Sequence, residues 1–506
     1  MPEAEKHPNR WWTLAAVCIA TFMLLIDITV VNVALPDIAK DLKTSFSDLQ
    51  WVVDAYALGL ASLLLTTGTL ADRFGHRRIF VAGLIAFTSA SILCGLATSP
   101  LFLILARGFQ GIGGAAMFAT SLSLIAQAFS GPDRGTAFGI WGATIGAAVA
   151  IGPLVGGVLT EQISWESIFF VNVPIGIAAV AATLAKVDEF RSPSAHRIDA
   201  PGLVTFSGGL FLLILALVRG NAEGWGSTLI VALLIGAAVL LALFVVIERR
   251  AGEDAMFDLR LFRKPAFGGA SIAAFGLSAS MFSMFLYITL YIQNTLGFSP
   301  QETGLRFLPL TVVSFFVAPA AGRVSRTVPV RVLFGVGLTL VGVGLLLMSG
   351  IDADSKWTAL LPGFILAGAG VGMVNPSLAQ AAVGVVTPQR SGMASGINST
   401  FRQVGIATGI AALGAVFQGL LTSKIARVPG EVLATGNPNL VRGVPRHEYL
   451  AAYSDALSTL FLIAAIVALV SGALALALTR QSDFIVHGAP QAGGEAAREA
   501  EPAAAG

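Results

Sequence analysis

The sequence predicts an all-α integral membrane protein of about fourteen spanning helices. Three observations carry this: uncharged runs long enough to cross a bilayer recur along the chain, ionisable residues are scarce, and one half echoes the other. Charged residues make up 12% and apolar residues 55% of the 506, with a mean hydropathy of +0.79. That is roughly half the charge of a soluble domain, so most of the surface must face lipid.

Runs able to cross a hydrocarbon core of roughly 30 Å occur at 12–35, 50–71, 78–98, 101–127, 136–159, 167–185 and 201–218. Further runs follow at 228–247, 267–291, 303–321, 331–349, 358–380, 394–420 and 455–478. The first ends in VNVALPDI with no small-residue cleavage site, so it is expected to be a retained helix. An even number of spans puts both termini on one side. With that side cytoplasmic, 20 Lys and Arg fall inside, 8 outside and 3 within helices, out of 31. Cationic loops favour the cytoplasm, so a multi-pass protein of the cell membrane with both termini inside is expected.

Segment 117–135 resembles 373–392: Met117, Ser121, Leu122, Pro132 and Arg134 recur as Met373, Ser377, Leu378, Pro388 and Arg390. A weaker echo sets Arg73 and Arg78 against Arg326 and Arg331. Both echoes link spans eight apart. They predict a six-helix bundle over 1–190, an extra helix pair over 198–250, a second six-helix bundle over 262–480 and a disordered cytoplasmic tail over 481–506. Parallel repeats of this kind point to a transporter with its substrate between the halves near the midplane.

A net charge of +2 leaves no basic face for nucleic acid. Cys18 and Cys94 lie in apolar runs and suggest neither disulfide nor metal site. All five histidines lie in polar segments, so carboxylates are the candidates for an intramembrane proton site. No GxxxxGK[ST] loop is present, and Gly111, Gly113 and Gly114 lie inside a span. No enzyme activity, cofactor or metal is therefore expected.

The loop after span two reads Gly68-Thr-Leu-Ala-Asp72-Arg73-Phe-Gly75-His-Arg77-Arg78. Its glycines permit a tight turn, Asp72 suits a helix N-terminus or an arginine partner, and Arg77 and Arg78 suit cytoplasmic headgroups. Such a charged latch can break and reform between conformations. A plain positive-inside turn would use some of the same residues.

Asp27 lies nine residues before Pro36, on the order of 13 Å below the outer end of its helix. An ionised carboxylate there usually marks function. Arg107 lies at similar depth, so Asp27 exposed in turn to water and to Arg107 can load and unload a proton. A static ion pair would use the same two residues. Asp54, near the start of span two, joins them as a proton-coupling candidate, or sits at the outer interface.

Arg107, Gln110, Gly111 and Gly114 share one helical face, expected to look inward. Ser395, Asn398, Arg402, Gly405 and Gly409 form a similar stripe on span thirteen. Gln110, Asn398 and Arg402 are the polar candidates for a substrate cavity. Met284, Tyr287, Tyr291 and Asn294 on span nine offer an adaptable aromatic wall with one amide, a stripe that is more often packing. Gly152, Pro153, Gly156 and Gly157 combine a kink with close helix approach.

GTLADRFGHRR closely resembles the signature loop of the major facilitator superfamily. LIDITVVNVALP (25–36), RGFQGIGGA (107–115) and IGPLVGG (151–157) are similar to its fourteen-span drug:proton antiporter branch of EmrB/QacA type. The resemblance covers about Trp11 to Arg480. It implies the major-facilitator fold, two six-helix bundles plus a central extra pair, and assigns the 152–157 segment to export. Relatives often carry Arg-Trp where this chain has Glu166-Ser167 after Trp165, and the loop 323–331 lacks the acid and the second glycine, so a latch there should be weaker.

The resulting expectation is secondary export of hydrophobic or cationic amphiphilic compounds, such as drugs and antibiotics, in exchange for protons by alternating access. The proton gradient is the energy source, the partners are protons, cargo and the bilayer, and the monomer is the expected functional unit. Export of one endogenous product, such as a self-made antibiotic or a lipid, would use the same machinery. A non-transporting receptor or scaffold would need none of Asp27, Arg107 and the Asp72 loop.

Overall fold

The computed structural model describes residues 9–43, 46–129, 132–190, 199–251, 257, 259–325, 327–386, 391–428, 430–434, 441 and 443–480. The expected tail at 481–506, and Pro388 and Arg390 of the internal echo, lie outside the described residues.

The first six long helices are α1 (Arg10–Asp41), α2 (Phe46–Phe74), α3 (His76–Gly95), α4 (Pro100–Ala128), α5 (Pro132–Gln162) and α6 (Asn172–Lys186). Then come α7 (Ala200–Glu223) and α8 (Thr228–Ala251). The last six are α9 (Pro265–Thr295), α10 (Pro300–Val324), α11 (Val330–Met348), α12 (Leu361–Gly384), α13 (Ser391–Lys424) and α14 (Arg446–Leu478). Among the described residues thirteen helices are long and apolar enough to cross a membrane. The other long helix, α5, has 31 residues with its charges confined to its ends.

Local chemistry sets several starts. Ser99 caps α4 ahead of Pro100, Asp199 caps α7, and Ser299 with Glu302 forms a capping box on α10. Two boundaries depart furthest from the hydropathy reading. α1 runs past Pro36 to Asp41, whose Oδ2 accepts the Trp165 indole N–H at 3.0 Å. α14 starts nine residues before position 455, because Tyr449 and Tyr453 are buried and the Tyr449 hydroxyl donates to the Leu433 carbonyl at 2.8 Å. α9 is interrupted by π-helical turns at Ser278–Phe282 and Tyr291–Thr295.

One set of apolar cores joins α1 to α5, and another joins α9 to α14. They meet along two seams, α2 against α13 and α5 against α10. In α2–α13, a Cβ on Gly68 would collide with the Gly392 carbonyl; in α5–α10, Gly135 and Gly322 approach in the same way. Moving eight helices along the chain carries α2 to α10 and α5 to α13, so each seam is the image of the other. α7 and α8 pack beside the first seam through Phe206, Leu210, Ile214 and Phe244 against Leu58, Leu65 and Ile397. α8 otherwise turns Leu229, Ile235 and Val239 outward, each more than half exposed, as a lipid-facing surface requires.

Candidate functional site

Asp27 and Arg107 meet. The Arg107 guanidinium donates to Asp27 Oδ2 at 2.6 Å, and both side chains are 1% exposed. Removing two charges from water is costly unless every lone pair and proton is matched, and here they nearly are. Gln110, one turn beyond Arg107, donates to Asp27 Oδ1 at 2.9 Å, and its carbonyl accepts Arg107 Nη1 at 2.6 Å. Asn172, at the start of α6, donates to the same Oδ1 at 3.0 Å. Both amides also reach Ser91 Oγ of α3, at 2.8 and 3.3 Å. Arg107 Nε donates to the Val52 carbonyl of α2 at 3.2 Å, and its guanidinium lies 4.3 Å from the Tyr56 ring centre. Five helices thus converge on one carboxylate whose bonds suit its ionised form.

The structure therefore places Gln110 inside this knot, fully buried, and not on a cavity wall. Asn172, Ser91 and Tyr56 were missed by sequence reasoning. Asn172 was findable as a lone amide in the apolar run IFFVNVPIG. Asp54 is not brought to the knot: it is half-buried and faces the Arg219 charge of α7, whose guanidinium lies 5.1 Å from the Trp51 ring.

At the basic-loop end, Asp72 takes the role of a helix cap across the seam. Its Oδ1 accepts the Gly392 amide at 2.9 Å and its Oδ2 the Met393 amide at 2.8 Å. Those N–H groups are orphans of the first turn of α13, where the helix dipole favours an anion. Among the described residues, His76, buried, holds its Nε2 3.2 Å from the same Oδ1. Arg73 lies over the Phe74 ring at 5.7 Å. Arg77 and Arg78, expected at headgroups, also meet Glu189 after α6: the Arg77 backbone amide donates to its Oε1 at 3.1 Å, and Arg78 Nε lies 3.6 Å from Oε2 as an ion pair. Gly75 has φ +109° and a Cβ there would fall 2.5 Å from the Glu189 carboxylate, so only glycine fits.

The 152–157 glycines face two neighbours. A Cβ on Gly152 would collide with Thr29, and one on Gly156 would sit 3.1 Å from Val30 Cα, so α5 is held tightly to α1 one turn beyond Asp27. Gly157 faces α10, with Gln301 Cγ 2.9 Å from its would-be Cβ. The Pro153 side chain lies outside the described residues.

Of the span-nine stripe, Met284, Tyr287 and Tyr291 are buried in the core of the second half, and the Tyr287 hydroxyl donates to the Ile410 carbonyl at 2.7 Å. The packing alternative describes them here. Asn294 is half-buried at the second π turn. Asn398 and Arg402 share one face of α13, both buried. Among the described residues no cluster of three His, Cys, Asp or Glu is arranged to hold a metal.

A family model described as Major Facilitator Superfamily matches residues 17–410. The chain is 38% identical over 435 residues to the Multidrug resistance protein Stp of Mycobacterium tuberculosis (strain CDC 1551 / Oshkosh), covering 86% of this chain and 78% of that protein. It is 35% identical over 457 residues to the Tetracenomycin C resistance and export protein of Streptomyces glaucescens, covering 90% and 83%. The crystal structure of the human organic anion transporter MFSD10 (TETRAN) superposes with a TM-score of 0.62 at 15% identity over 91% of this chain and 100% of that one, a likeness of fold.

Proposed function

The chain belongs to the major facilitator superfamily, and on that premise we propose that it exports drug-like amphiphilic compounds by secondary transport, in exchange for protons, across the cell membrane. The drug-export reading is supported by its similarity to a multidrug resistance protein and an antibiotic export protein. The observation that carries proton coupling is the Asp27–Arg107 pair, 2.6 Å apart and out of water.

The ionised carboxylate ties α1 to α4 and α6. A proton on Asp27 cancels its attraction for Arg107 and loosens that tie. α1 is then free to shift against α5, to which it is locked through Gly152 and Gly156, and α5 carries the shift to α10 across Gly157. At the cytoplasmic end the Asp72 cap on α13 holds the first seam closed and must release for cargo to enter. The cytoplasmic placement of that end rests on the cation bias of the loops.

The test is expression in a pump-deficient host with a screen of dyes, antibiotics and lipids, followed by collapse of the proton gradient. Efflux that survives the collapse would refute antiport. A dedicated exporter of one endogenous antibiotic is favoured by the tetracenomycin relative, and a screen that yields a single compound class would select it.

A further inference from the structure

Arg402 stands in contrast to Arg107. It is 7% exposed, its guanidinium lies 5.7 Å from the Phe282 ring, and it makes no hydrogen bond or ion pair with a described residue. Among the described residues of α9–α14 the acids are Glu302, Glu448 and Asp455, all toward the end opposite the Asp72 latch, with Asp455 paired to Lys424. A buried cation without an anion is costly, and in a membrane span it marks a place where charge arrives.

Its surroundings supply donors. Ser395, two turns earlier on the same face, donates to the Ala119 carbonyl of α4 at 2.7 Å, so this face of α13 looks across to the other half. Arg402 lies about 10 Å further along the helix. Asn398, one turn before Arg402, is 4% exposed and its Nδ2 has no partner among the described residues. One turn beyond, Gly405 lets the π turn of α9 come close: a Cβ there would sit 3.0 Å from Ser278 Cβ, and the Ser278 hydroxyl is also buried, with no partner among the described residues. π turns recur at functional sites because they swing side chains out of α register.

We propose that Arg402, Asn398 and Ser278 form a subsite for an acidic group of the cargo, a carboxylate or phenolate on an otherwise hydrophobic compound. This rests on the export reading above and narrows its substrate class. A guanidinium and an amide N–H match the two lone-pair directions of a carboxylate, whereas the ester of the same compound offers only weak acceptors.

The experiment uses the full chain in nanodiscs of zwitterionic lipid and several pairs of xanthene dyes, each as the free carboxylate and as its ethyl ester, with binding read by fluorescence anisotropy. The acid should bind about tenfold more tightly than its ester, the difference one charge-assisted contact makes. Arg402→Gln should erase that preference by weakening the acid alone, and Arg402→Lys should keep part of it. Asn398→Ala should weaken the acid about threefold and leave the ester unchanged, and it carries the test if Arg402→Gln is not recovered folded. No preference for the acid in any pair, absence of binding included, would overturn the subsite. So would equal weakening of both members by Arg402→Gln, which would make Arg402 a packing residue. Binding needs no gradient, so acid-selective binding without proton-driven efflux sinks the export reading alone, while export of acids and esters alike sinks the subsite alone.

Discussion

The two halves share an architecture but not a charge distribution. The first places Asp27 at depth among three matched donors and Asp72 on the start of α13. The second, at corresponding places, has Arg402, with no ion-pair partner among the described residues, and a basic loop, 323–331, without an acid. The seams show the difference most plainly: Gly68 with Gly392 and Gly135 with Gly322 make the same close contact, yet among the described residues the first alone carries a carboxylate cap. Backbone shape closes a seam, and a carboxylate makes the closure breakable.

If acid equipment in the first half drives the cycle, Asp27→Asn should reduce proton-driven efflux to background. Insertion and expression should stay near normal, because the amide keeps volume and an acceptor but cannot titrate. Undiminished efflux from proteoliposomes containing the variant would end the coupling role. Arg107→Ala should come next. Without the guanidinium the ionised carboxylate loses its countercharge, so efflux should recover only at alkaline internal pH, and lysine should restore it in part. An unchanged pH profile in correctly inserted Arg107→Ala would make the arginine a structural residue.

Asp72→Asn should slow turnover about tenfold, the loss of roughly 1.4 kcal/mol from one charged cap, and Gly75→Val should slow it too by straining the φ +109° turn, while substrate affinity stays near wild type in both. Affinity falling in step with turnover would show that the loop shapes the binding site. The glycine pairs offer a finer comparison. Gly68→Ala and Gly135→Ala should open the end that carries the Asp72 cap to similar extents by spin-label distances, since each new methyl meets a carbonyl of the other half. The smallest effect is expected from Ser325→Asp, which adds an acid near the start of α5, where Ser325 Oγ lies 3.4 Å from the would-be Cβ of Gly135. It should favour closure by about 0.3–1 kcal/mol, and no shift toward the closed distance would limit the cap to the first seam.

Hydropathy made the helices legible because lipid forces every backbone group into internal bonds, so a long apolar run has little alternative. The intramembrane charges were legible for the same reason: Asp27 and Arg107 had to meet something, and each was the other's best match. Neutral polar residues were less so: Asn172 stands out as a lone amide in an apolar run, but its partner, like the part played by Ser91, is found only when helix order in space is known. The same holds for the contacts of Arg77 and Arg78 with Glu189, over a hundred residues away in sequence. The stripe on α9 left both readings open in the sequence because a core and a binding wall ask for the same residues. The π turns that re-aim α9 have no compositional mark.

The helix pair α7–α8 touches the rest of the molecule largely through methyl and phenyl surfaces, with Thr66 to Ser207, Asn221 to the Ala411 carbonyl, and Arg219 toward Asp54 and the Trp51 ring among its polar links. In a bilayer, acyl chains can replace such surfaces at little cost, because hydrocarbon already surrounds them. A chain with the pair excised and 187–190 retained, so that Glu189 still braces the turn at Gly75, should therefore assemble as a twelve-helix protein. The pair would then behave as a detachable module, one that evolution can add to the rim or trim away while the engine behind it runs on unchanged parts.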